Sequence, residues 1–168
     1  MHTRNCILAC LGRFPEKDRF TINEIKMCIR DRDAGVRGIK LHPAYQGFAA
    51  DDRKLYPIYA RCAELSLPIV FHAGWDIAFP DAYCSEPDQC ERIVRDFPEC
   101  RFVFAHMGGM MRWDEVARRL CGKDVYLDLA FVREAMTKEQ LQRLLGLHDP
   151  RRILFATDCP WSCLLYTS

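Results

Sequence analysis

The chain has 168 residues, 49% hydrophobic and 28% charged, the balance of a soluble globular domain rather than of a disordered or fibrous chain. Its net charge of +1 points to neither nucleic acid nor an anionic membrane surface, and no apolar run approaches the roughly 20 residues of a membrane span. The 10 cysteines form no Cys-x-x-Cys pair and sit at apolar helix positions or strand ends, so they read as reduced thiols of a cytoplasmic protein.

The opening stretch, MHTRNCILACLGRFPEKDRF, holds an apolar segment too short and too poorly flanked for a signal peptide. Two later segments, KMCIRDR (Lys26 to Arg32) and CLLYTS (Cys163 to Ser168), share an oddity at the nucleotide level. One coding of CLLYTS is TGTCTCTTATACACATCT. Its reverse complement, AGATGTGTATAAGAGACA, reads one frame over as Met-Cys-Ile-Arg-Asp, with its leading AG completing the codon of Lys26. A single element in inverted orientation accounts for both, and it resembles a transposon-end tag used in preparing sequencing libraries. Three parts are therefore expected: a foreign or unstructured lead over 1–32 with the tag-like segment 26–32, a natural domain over 33–162, and a tag-like tail over 163–168.

Within 33–162 the chain alternates short apolar strands with amphipathic helices. The strands are VRGIKLH (36–42), PIVFH (68–72), RFVFAH (101–106), VYLDLA (125–130) and RILFATD (152–158). Near-continuous apolar runs are the mark of parallel strands covered on both faces. The first helix carries Ile58, Tyr59, Cys62 and Leu65 with Pro57 in its first turn. The second carries Cys90, Ile93, Val94 and Phe97 and is expected to open at Ser85. The third carries Trp113, Val116, Ala117 and Leu120 and stops at Gly122. The fourth has capping-box spacing between Thr137 and Gln140, followed by Leu141, Leu144 and Leu145. This recurrence, about every 30 residues, predicts βαβ units on a parallel sheet, closed as a barrel or open.

His42, His72, His106 and Asp158 each end an apolar strand just before a break in the pattern. Alternation puts His72 on the face of Val70, His106 on that of Phe104 and Asp158 on that of Ala156. If those faces point inward, the four groups meet at the carboxyl end of the sheet, where α/β folds bind ligands. Imidazoles with a carboxylate suit a borderline divalent cation such as Zn²⁺, and they also supply an acid and a base. Any one of the histidines alone is more often a hydrogen-bonded structural residue, an Asp before Cys-Pro is often a simple turn former, and Gly108-Gly109 reads as ligand clearance or a plain turn. His148, before Asp149-Pro150, reads as a helix C-terminal cap.

The segments GIKLHP, LPIVFHAG, FVFAHMGG, VYLDLAF and RILFATDCPW, in that order, resemble the amidohydrolase superfamily, in particular its amidohydrolase-related branch that includes decarboxylases. The resemblance covers Val36 to Trp161 and implies strands four to eight of a (β/α)₈ barrel, so a partial TIM-type barrel of about five parallel βα units. It implies His72 as a metal ligand and His106 as a catalytic histidine. Asp158 would be both a ligand and a proton carrier, and His42, Trp75, Arg112 and Trp161 would contact substrate. Arg112 would hold a substrate carboxylate, or be a solvated arginine. The implied cofactor is one divalent ion, expected to be zinc in the complete protein. The family's first-strand His-x-His has no counterpart, since MHTRN has arginine where the second histidine belongs. The parent is thus expected to be a metal-dependent hydrolase or decarboxylase of a small carboxylated or cyclic molecule, and this chain an incomplete, inactive fragment of it. Two alternatives are a binuclear hydrolase in which Lys40, two residues before His42, is carboxylated, and a non-catalytic half-barrel that associates through its open edges. No nucleic-acid or membrane partner is expected.

Overall fold

The computed structural model describes residues 8–9 and 37–158. The sheet begins with β1 (Leu8–Ala9), within the segment expected to be foreign, and β2 (Ile39–Leu41). After β2 come α1 (Pro43–Gln46), a 3₁₀ turn (Arg53–Leu55) and α2 (Tyr56–Glu64). Then follow β3 (Ile69–Phe71), α3 (Pro87–Asp96), β4 (Phe102–Phe104) and α4 (Trp113–Arg119). The last are β5 (Tyr126–Asp128), α5 (Val132–Ala135), α6 (Lys138–Leu147), a second 3₁₀ turn (Pro150–Arg152) and β6 (Ile153–Leu154). The tag-like segments 26–32 and 163–168 lie outside the described residues.

All strands run parallel in the order β1-β2-β3-β4-β5-β6. A strand order identical to chain order is that of a barrel wall, whereas a doubly wound sheet reverses direction part-way. The (β/α)-barrel expectation therefore holds, as part of a barrel, with β1 added to the five strands read from the sequence.

Register divides the sheet into two faces. Ile39, Ile69 and Phe102 are aligned, as are Leu41, Phe71, Phe104 and Leu127. These residues point outward and pack against the helices through Tyr59, Cys62, Cys90, Ile93, Val116 and Leu120, all of them buried. Tyr59 is the hub: its ring meets Phe71, Phe97 and Phe102 edge-on, and its hydroxyl donates to the Ala50 carbonyl at 2.7 Å. The opposite face carries the row Lys40, Val70, Val103 and Tyr126.

Helix boundaries follow local chemistry. The Thr137 and Gln140 capping box forms as the spacing requires. The second helix opens one residue later than expected. Glu86, not Ser85, is its cap, reciprocated by Gln89, because Pro87 favours the first helical position. His148 sits at the C-cap position of α6, but its ring serves neighbouring segments rather than the helix end: Nδ1 accepts from Gly122 N–H at 3.2 Å and Nε2 donates to the Val125 carbonyl at 3.2 Å. Cys84, Cys90, Cys100 and Cys121 are free thiols.

Candidate metal centre

The inner row one step beyond Lys40 and Val70 falls on His42 and His72, just past the ends of β2 and β3. Continuity of the ladder is kept by a bond from His72 N–H to the Leu41 carbonyl at 3.0 Å. The two imidazoles stack, with centroids 4.1 Å apart and planes 12° from parallel. Asp76, four residues after His72, folds back over them. Its Oδ2 lies 3.2 Å from His42 Nε2 and 3.4 Å from His72 Nε2, while its Oδ1 accepts from Ala78 N–H at 2.7 Å. One donor atom from each of His42, His72 and Asp76 lies within 4.8 Å of the others.

Gly74 makes this loop possible. Its φ of +83° is left-handed, and a Cβ there would run into the backbone of Met110, with which Gly74 forms a parallel bridge. The strand-end loops after β3 and β4 are thereby clamped together.

His106 reaches the cluster against the strand pattern. Phe104 faces the helices, so strict alternation would send His106 the same way; Ala105 instead lines the inner face. The chain takes left-handed conformations at His106 (φ 59°) and Met107 (φ 51°), which turns the imidazole inward. The turn is secured by His106 N–H donating to Asp128 Oδ1 at 3.0 Å and by Trp113 Nε1–H donating to the His106 carbonyl at 3.0 Å. The shared face with Phe104 is thus corrected: His106 joins His72 because the strand has already ended. Both ring nitrogens of His106 are engaged, Nδ1 with the Ala130 carbonyl at 3.0 Å and Nε2 with His72 Nδ1 at 3.1 Å. At 3% exposure it is a buried partner of His72. Gly108 and Gly109 serve packing rather than ligand clearance, since a Cβ on Gly108 would press on Leu127 and Val116.

Burial pushes the His72 imidazole down to about 2, helped by the neighbouring His42, His106 and Lys40. His42 is lowered by burial as well, against the pull of Asp76. Both imidazoles are therefore neutral near pH 7, the form that binds a cation.

Beside the cluster lies a cavity of about 570 Å³ on the inner face, lined among others by Lys40, Val70, Ala105, Asp128 and Asp158. Burial lowers the Lys40 ammonium, and Asp128 and Asp158 pull it back up. Asp158 stands exposed at the edge of this cavity, and the donor cluster beside it is made by His42, His72 and Asp76. Sequence reading missed Asp76; the only signal was a carboxylate four residues after a strand-end histidine, past a glycine. Trp75 is part-buried against the core, and Arg112 forms an ion pair with Glu86 at 2.8 Å, a structural partner for its guanidinium. Trp161 lies outside the described residues.

With that geometry in place, the comparisons with known proteins decide the family. The family model described as Amidohydrolase matches residues 15–164. The chain belongs to the amidohydrolase family. No curated protein matches its sequence. Among solved structures it is similar to an uncharacterised TIM-barrel protein of Bordetella bronchiseptica, with TM-score 0.61 and 23% identity over 82% of this chain and 50% of that one. It is also similar to 5-carboxyvanillate decarboxylase of Novosphingobium aromaticivorans, solved with manganese, with TM-score 0.58 and 15% identity over 82% of this chain and 51% of that one. A third is 4-oxalomesaconate hydratase of Rhodopseudomonas palustris, with TM-score 0.56 and 22% identity over 85% and 47%. The chain spans about half the length of the structures it matches. Among the described residues no helix is long and apolar enough to cross a membrane.

Proposed function

We propose that the chain is part of a cytoplasmic metal-dependent hydrolase or decarboxylase acting on a small carboxylated or cyclic substrate. One observation carries the reading: His42, His72 and Asp76 bring one donor each within 4.8 Å of one another beside a cavity holding Lys40, Asp128 and Asp158. The residues fit a borderline cation, since His72 Nε2, 3.4 Å from Asp76 Oδ2, is buried without a hydrogen-bond partner. His72 would hold it in this chain, and zinc is the ion we favour. Bound there, it would supply Lewis acidity toward a water or a substrate oxygen.

The chain's own residues do the rest. Asp158, exposed at the cavity edge, is positioned to carry a proton between water and substrate. The Lys40 ammonium attracts an anionic substrate group into the cavity, and Asp128 fixes the backbone of His106 and Ala130 around it. His106 orients His72. In the second reading Lys40, which lines the same cavity as Asp128 and Asp158, is carboxylated and bridges two ions. Two ions per chain rather than one would support it.

The test is made on the parent protein. Upstream genomic DNA should encode an in-frame His-x-His within about 120 residues before Asp33, four βα units being half a barrel. That protein should decarboxylate or hydrolyse members of a panel of small aromatic and cyclic carboxylates, lose activity to chelation, and lose it in Asp158→Asn. Turnover that survives complete metal removal would sink the reading. For the 168-residue chain alone we expect no turnover, because it does not hold the His-x-His ligands.

A further inference from the structure

We propose that Phe131, in the turn after β5, is a positioning residue: its left-handed backbone turns the Ala130 carbonyl onto His106 and so fixes which ring nitrogens of His106 and His72 carry hydrogen. The inference rests on the metal-dependent reading above only for the use made of His72.

Backbone strain marks the place. Among the described residues, six other than glycine have positive φ, and five of them, His106, Met107, Met111, Phe131 and Asp158, follow the carboxyl ends of β4, β5 and β6. A bulky residue at positive φ persists only where its surroundings hold it, and such strain clusters at active sites. Phe131 has φ 58° and ψ 12°. It is the third residue of a turn closed by Val132 N–H donating to the Leu129 carbonyl at 3.3 Å. With Ala130 at negative φ, this is the type II form, which ordinarily takes glycine at the third position. Type II differs from the commoner type I by a half-turn of the central peptide, here the one joining Ala130 to Phe131. The relaxed form would point the Ala130 carbonyl away from His106. Two contacts hold the strained one: Asp128 Oδ1 accepts from Ala130 N–H at 3.0 Å, and the Phe131 ring packs against the core.

The turned carbonyl sets the protons. It can only accept, so His106 Nδ1, 3.0 Å away, carries hydrogen. In the neutral ring Nε2 is then an acceptor, and His72 Nδ1, at 3.1 Å, is its donor. His72 Nε2 is left with a lone pair. A separate contact agrees: this atom stands 3.4 Å from Asp76 Oδ2 yet makes no hydrogen bond, as a nitrogen without hydrogen must. An imidazole works as base or ligand through one nitrogen while a hydrogen bond at the other fixes its tautomer. The turn after β5 therefore decides, through two rings, which nitrogen of His72 is open.

The experiment reads the tautomers in the nitrogen-labelled 168-residue chain, by long-range proton–nitrogen correlation of the histidine rings near pH 7. His106 and His72 are each expected with hydrogen on Nδ1 and none on Nε2. Three replacements then separate backbone from bulk, since all remove the ring that packs on the core. Phe131→Gly and Phe131→Asn tolerate positive φ and should keep the His106 tautomer. Phe131→Ala resists positive φ, so its turn should relax and most of the Nδ1–H form should be lost. Circular dichroism of each variant checks folding. Hydrogen on His106 Nε2, or on both of its nitrogens, in the unaltered chain would overturn the proposal. So would loss of the tautomer in Phe131→Gly, whether or not Phe131→Ala folds, or its full retention in a folded Phe131→Ala. The readout needs neither a metal ion nor turnover, so its failure is distinct from failure of the metal-dependent reading, which metal removal from the parent tests.

Discussion

Asp128 commits one carboxylate oxygen to two backbone donors, His106 N–H and Ala130 N–H, each at 3.0 Å. All three groups are buried, and the left-handed turn at His106 depends on them. Asp128→Ala would leave two buried N–H groups without acceptors, so the unfolding free energy should fall by about 2–4 kcal/mol. Asp128→Asn keeps a carbonyl oxygen in the same place and should cost less than half as much. Urea denaturation of the two variants decides it, and equal losses would mean that charge, not the acceptor, holds the turn. The same residue shows where sequence reading stops. VYLDLA reads correctly as a strand, but nothing in it says that its aspartate serves the backbone of another strand's end. Asp76 was illegible for a related reason: only the left-handed Gly74, closed against Met110, folds it over His72. The histidines themselves were legible, because a polar residue ending an apolar run stands out whatever the loop does.

At the level of elements, His148 ties three of them together. It ends α6, accepts from the turn at Gly122 after α4, and donates to Val125 at the entrance to β5. Burial lowers its pKa below the ordinary value of about 6.5. The sign follows from proton counting: below about pH 6.5 the unfolded chain binds a proton that the folded chain refuses, so stability falls as pH falls. The contribution is fully present above the unfolded pKa and is lost progressively on acidification toward the folded one. Between pH 7 and pH 5 the urea midpoint of the chain should therefore drop, and His148→Gln should show a shallower drop from a lower starting point. A parallel pH dependence in the variant would remove His148 from the account, leaving His42 and His72, whose shifts have the same sign. Element boundaries that rest on local chemistry, such as the Thr137 cap, were readable from sequence. The position of His106 was not, because alternation holds only while the strand lasts and the backbone had already turned left-handed.

Across the whole molecule, the order of six parallel strands in one wall explains why five strand-end segments were enough to read the fold. Each motif marks the same level of the sheet, and consecutive units must then be neighbours. Among the described residues β1 and β6 are the edges of that wall, and the inner face carries exposed apolar groups such as Phe155 at 71% exposure. Rigidity at the carboxyl end therefore rests on cross-links between loops: Gly74 to Met110, His72 to His106, and the contact of Asp76 with His42 and His72. A cation bound beside these loops, as proposed, would join the loops after β2 and β3 and would bind only the folded chain, since the unfolded one scatters its ligands. At zinc concentrations 100 times the dissociation constant, such linkage adds about 2.7 kcal/mol to the unfolding free energy. For a chain of this size, 1 kcal/mol corresponds to roughly 2–4 °C, so Tm should rise by about 5–11 °C. Asp76→Asn should melt near the metal-free temperature and gain little from zinc at the same concentration. The measurement is a thermal melt followed by circular dichroism with and without zinc. A rise of equal size in Asp76→Asn would place the stabilising ion elsewhere and separate the loops from the stability of the sheet.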